Sequence, residues 1–131
     1  MRAGIEVREA HFPGRAQIDA YGNGGFRFAD MSHRGSVLLL PSGIYGWSPV
    51  SLDGVDLASV SQILAESEQI DVLLFGCGDD LLRLPSEIRE AMREHTISCD
   101  SMSTGAAVRT YNVLLAEERN VAAALIAVDA A

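Results

Sequence analysis

Three uninterrupted apolar runs of strand length, at residues 37–40, 72–75 and 121–128, constrain this chain more than any other feature. The longest is eight residues, far short of the roughly 20 that a membrane span needs. A half-exposed strand alternates apolar and polar residues, whereas a run with no polar interruption suits a strand covered on both faces. The first run stops at Pro41 and the second at Gly76-Cys77-Gly78.

Between and around these runs the pattern changes to a helical period. A first helix is expected over 56–66, with Asp56 as N-cap and Leu57, Val60, Ser61 and Leu64 on one face. Ser59, Gln62 and Glu66 would then face water. A second is expected over 85–94, with Pro85 in the first turn and Ile88, Ala91 and Met92 turned inward. Residues 97–99 read as a short strand. A third helix opens at Ser103 or Thr104 and continues from Gly105 to Glu118. Ala107, Tyr111 and Leu114 form its inner stripe, widened by Ala106, Thr110 and Val113. Arg119 suits its negative pole.

Upstream, residues 1–17 are a polar lead-in with room for a short strand. Ile18, Ala20, Phe26 and Phe28 flank Gly22-Asn23-Gly24-Gly25, a hairpin signal because glycine and asparagine tolerate positive φ. Residues 41–49 form a Pro/Gly-rich loop with a short strand at 44–47. The order is hairpin, strand, then helix and strand in alternation. That order predicts an α/β fold with a mostly parallel sheet carrying helices. A length of 131 residues fits one domain, 1–131.

Composition narrows the partners. The net charge is −8 and the ten basic residues form no dense run, which argues against a nucleic-acid ligand. Cys77 and Cys99 match no zinc pattern, and three scattered histidines show no ligand spacing, so no metal is expected. The opening residues lack a secretory apolar stretch. Free thiols and a cytoplasmic location follow as expectations.

The stretches at 18–47, 73–85 and 102–126 together resemble an uncharacterised-domain family. That family includes the mitochondrial complex I assembly factor of the NADH dehydrogenase one-alpha-subcomplex type, assembly factor three. The similarity spans about residues 15–128. It implies a three-layer fold, with a central mixed sheet and an added β-hairpin layer, and no established enzymatic activity. Because the opening residues show no mitochondrial-type leader, a bacterial cytoplasmic member of the family is expected. Where members often carry Gly-Thr-Gly, this chain has Gly76-Cys77-Gly78, so any role of that hydroxyl would be lost here.

The residues themselves offer one site. If the strands at 72–75 and 97–99 are parallel neighbours, their following loops leave the same edge of the sheet. Gly76, Cys77, Gly78, Ser103, Thr104, Gly105 and Arg109 could then line one pocket, with Asn112 a turn beyond Arg109 on the same helix face. A helix start with free amides and an arginine suits a small anion. Equally, Thr104 could simply cap, and Arg109 could pair with one of eighteen acids. The glycine turn is not a dinucleotide fingerprint, because Leu81 stands where its third glycine belongs, so no cofactor is expected. Cys77 has no histidine at a useful spacing to serve as base. The segment with Asp30, His33 and Arg34 reads as a loop without hydrolase geometry. Tyr45 and Trp47 could anchor a protein partner or pack inward. Two functions from different classes remain. One is a non-catalytic protein-interaction module, an assembly or biogenesis factor. The other is a small-molecule or anion-binding domain, or minor enzyme, using the pocket above. Self-association through a hairpin edge is a further option.

Overall fold

A computed structural model describes residues 11–79 and 83–129. Residues 1–10 of the lead-in, 80–82 with Leu81, and the last two residues lie outside that description.

Among the described residues the chain is a mixed α/β structure with two sheets and three α-helices. Strands β1 (Ala20–Gly22), β2 (Gly25–Phe28) and β3 (Met31–Arg34) form an antiparallel three-stranded sheet. β4 (Ser36–Leu40), β5 (Gly43–Trp47), β6 (Val72–Gly76), β7 (Ser98–Met102) and β8 (Val121–Leu125) form the second sheet. Its order is β5-β4-β8-β6-β7. β8–β6 and β6–β7 are parallel, whereas β5–β4 and β4–β8 are antiparallel. The sheet is therefore half parallel by pairing, less than the alternating element order implied.

The apolar runs form strands because both of their faces are buried. Successive side chains on a strand point to opposite faces. Leu38, Leu40, Leu73, Phe75, Ala122 and Ala124 accordingly fall in one core cluster, with Ile63, Ile88 and Met92 from helices α1 (Ser61–Ala65) and α2 (Ser86–Glu94). Val37, Leu39, Leu74, Val121, Ala123 and Leu125 fall in a second. There they join Ala107, Val108 and Tyr111 of α3 (Thr104–Ala116), and Phe26 and Phe28 of the small sheet.

Several expectations are corrected. The first helix is not 56–66 but five residues, Ser61–Ala65. Asp56 Oδ1 accepts from the Ser59 amide at 2.8 Å, and Ser59 Oγ donates to the Asp56 carbonyl at 2.7 Å. This reciprocal pair closes a local turn, and amides 59–61 bond three residues back rather than four. Leu57, assigned to the inner face, is 45% exposed, while Ile63 is fully buried. On α3, Val113 is 57% exposed, and Val108 takes its place inside. The last run stops being a strand at Leu125. Beyond it the chain crosses to the hairpin, where the Gly24 amide donates to the Val128 carbonyl at 2.9 Å. Tyr45 and Trp47 pack inward: both are buried, and Trp47 Nε1 donates to the Ser59 carbonyl at 2.8 Å.

The segment expected to be a loop around His33 is β3. Ala29 and Asp30 make its turn with φ of 48° and 61°. The His33 ring lies 4.8 Å from that of His11, tilted by 48°, and both lie against Gly46, where a Cβ would come within 3.2 Å of His33 Cε1. Burial, with the His11 charge adding, holds the His33 imidazolium below its usual 6.5, although a bond to the Ser36 carbonyl works the other way. An unfolded chain therefore takes up this proton first. The stabilising contribution is whole above about pH 6.5 and is lost as pH falls through that value towards the folded pKa. His33→Gln should flatten the decline in urea-unfolding free energy between about pH 7 and pH 5.5. An unchanged slope would mean that His33 titrates alike in both states.

Candidate functional site

β6 and β7 run in parallel with Gly76 opposite Met102, so the loops after them do leave the same sheet edge. The two are then laced together. The Cys77 amide donates to the Met102 carbonyl at 2.8 Å, and the Thr104 amide to the Gly78 carbonyl at 2.9 Å. Thr104 Oγ1 accepts from the Gly78 amide at 3.0 Å and donates to the Ile126 carbonyl at 2.7 Å. Thr104 is thus a fully buried pin between three segments. Gly76 permits this approach, since a Cβ there would stand 2.9 Å from Leu125 Cδ2 and 3.0 Å from Thr104 Cα.

Ser103 caps α3, its side chain accepting from the Ala106 amide at 3.3 Å. Gly78, Ser103, Gly105 and Arg109 line a cleft of about 230 Å³ together with Tyr21, Asp79 and Val128. A Cβ on Gly105 would overlap the Tyr21 hydroxyl, so the β1 tyrosine sits against the helix start. Tyr21 carries no sequence signal for this place, because its contact depends on how the small sheet lies over α3. Arg109 is exposed, and its guanidinium makes no hydrogen bond or ion pair among the described residues.

The other candidates lie elsewhere. Gly76, Cys77 and Thr104 are buried beneath the cleft, not on its wall. Cys77 Sγ donates to the Phe75 carbonyl at 3.8 Å. Asn112 faces the lead-in: its amide donates to the Ile18 carbonyl at 2.9 Å, and its oxygen accepts from the Ile18 amide at 2.8 Å. The side chain imitates a strand partner and holds the chain entering β1. Neither cysteine forms a disulfide. Burial, then the charges of Asp100 and Cys77, push the Cys99 thiol up to about 12, which keeps it protonated. No described histidine joins this region. His11 and His33 lie against each other in a tilted ring contact, and His95 Nδ1 bonds the Ala91 carbonyl at 2.9 Å. Among the described residues no three His, Cys, Asp or Glu side chains gather to hold a metal.

Residues 18–126 match the model of a protein family of unknown function, DUF498/DUF598. The chain belongs to this family. An uncharacterised member from Rhodobacter capsulatus is 38% identical over 119 residues, covering 91% of this chain and 90% of that protein. The mouse NADH dehydrogenase [ubiquinone] 1 alpha subcomplex assembly factor 3 is 30% identical over 125 residues, 95% of this chain and 68% of that one. The assembly factor is therefore among the relatives, as the resemblance implied. A Bartonella henselae crystal structure, described as that of an outer membrane protein, superposes with a TM-score of 0.88. It is 63% identical, and the alignment covers 91% of this chain and all of that one. Among the described residues no helix is long and apolar enough to cross a membrane.

Proposed function

We propose that this DUF498/DUF598 member is a non-catalytic protein-interaction module that serves the assembly of a respiratory complex. The observation that carries this reading is the similarity to assembly factor 3 over 95% of the chain. It is supported by what the polar residues do. Thr104, Asn112 and Ser103 are committed to backbone groups of the fold, and Cys77 is buried. The same reading treats the molecule as three layers, with α1 and α2 on one face of the five-stranded sheet and α3 with the small sheet on the other. The two core clusters on alternate strand residues support it. A cytoplasmic location belongs to the proposal too. Fractionation of cells carrying a tagged chain tests it against the outer-membrane description of the Bartonella protein.

Deleting the gene in its own host tests the role. Expected are a native-gel ladder of incomplete respiratory complex and lowered NADH oxidation by isolated membranes, both restored by the full chain. Normal assembly and NADH oxidation in the deletion strain would overturn it.

One observation favours a second reading, a small-anion site: Arg109 has no described acid partner beside the capped helix start. Asp79 on the same wall weakens it. Phosphate should then raise the melting temperature, and Arg109→Ala should abolish that rise. A rise that survives the substitution removes Arg109 from the site.

A further inference from the structure

The small sheet turns one face inward with Phe26 and Phe28 and the other to solvent. On the outer face Arg27 stands opposite Ser32, and Arg34 opposite Gly25. Arg27 and Arg34 are therefore diagonal neighbours on adjacent strands, with Cα atoms roughly 7–8 Å apart. Both are exposed, and neither guanidinium makes an ion pair or hydrogen bond among the described residues. They border a depression of about 360 Å³ whose floor is lowered at the opposed pair Gly22 and Gly25, where no side chain rises from the sheet. No acidic residue lines it, and the carboxylate standing toward Arg34, that of Asp129, shares with Arg34 Nη1 the space beside Gly24 without pairing with it. Asp19 and Asp30 line an adjoining hollow that Arg27 also borders, and neither carboxylate pairs with it. In a chain with eighteen acids and ten basic residues, all arginine, such a face runs against the composition.

We propose that this face docks an extended acidic segment of a protein partner, with carboxylates at alternate positions. The spacing selects that occupant. In an extended chain, residues two apart point to one side and lie about 7 Å apart. That matches the diagonal separation of the two arginines, so each guanidinium can fork onto its own carboxylate. A single small anion would instead need both guanidiniums converged on one point. The inference rests on the interaction-module reading and names the chemistry of the partner.

The test uses a fluorescein-labelled peptide of alternating glutamate and threonine, titrated with the full chain at low salt. Binding should weaken as salt rises. Arg27→Ala/Arg34→Ala should weaken it by roughly tenfold or more. Arg93→Ala, on α2, should leave it unchanged. Arg27→Lys/Arg34→Lys should restore part of the loss, because charge returns without the fork. Absence of binding, equal binding by the double alanine variant, or an equal loss in Arg93→Ala each overturns the proposal. Full displacement by millimolar inorganic phosphate would replace the docking face with a small-anion site. A photo-crosslinker is needed for capture in cells, since no lysine is present for amine-directed reagents. If the Arg27→Ala/Arg34→Ala chain retains the partner captured by the unaltered one, this surface is wrong and the module reading stands. If neither chain captures a partner, the module reading fails while the peptide titration still judges the surface.

Discussion

Thr104→Val should destabilise the protein by about 2–4 kcal/mol, and Thr104→Ser should recover most of that loss. Valine keeps the shape and volume of threonine, so the packing at this fully buried position is unchanged. What disappears is the hydroxyl that joins the Gly78 amide to the Ile126 carbonyl. Each of those backbone groups is left without its partner, and an unsatisfied buried polar group costs about 1–3 kcal/mol. Gly78 is only half-buried, so water can reach its amide, which keeps the sum below the simple total. Chemical unfolding should show a lower midpoint with an unchanged m-value. Amide exchange should quicken at Gly78, the residue that loses its acceptor. A cost below about 1 kcal/mol would mean that water replaces both bonds and that the pin is not structural.

Thr104 also marks how far the sequence could be read. That the loops after β6 and β7 converge was legible, because adjacent parallel strands must end on the same side of a sheet. The strands themselves were legible because burial on two faces leaves no polar position in 37–40 or 72–75. The roles of Thr104 and Asn112 were not. Their partners Ile126 and Ile18 lie 22 and 94 residues away, and no local pattern records such a pairing. β3 was missed because its turn is made by Ala29 and Asp30 at positive φ, where alanine is uncommon, and because Met31-Ser32-His33-Arg34 lacks β-branched residues. With β3 read as a loop, Arg27 and Arg34 could not be placed on one face. The first helix was overextended because Asp56 and Ser59 bond to each other, a turn that reads like a cap in sequence.

Gly25→Ala should cost about 3 kcal/mol, more than Gly24→Ala at the next position. The reason is steric and not conformational. A Cβ on Gly25 would overlap the His33 carbonyl oxygen and stand 3.1 Å from its carbon and 3.2 Å from Arg34 Cα. All three atoms are backbone, so no side-chain rotation relieves the contact, and β2 and β3 must part. Gly24 presents the opposite case. Its φ of +77° strains any other residue, but a Cβ there meets nothing nearer than Arg34 Nη1 at 3.7 Å. Its penalty is the left-handed backbone alone, about 1–2 kcal/mol. The damage from Gly25→Ala should also spread. The Gly35 amide donates to the Gly24 carbonyl at 2.7 Å, and the Gly24 amide holds the tail at Val128. Parting the strands at Gly25 therefore loosens the hairpin, the tail and the spacing of Arg27 and Arg34 together. Unfolding free energies of the two alanine variants, measured side by side, decide the point. Equal costs would show that β2 and β3 yield at this pair without loss, and the fixed arginine spacing on which docking depends would go with them.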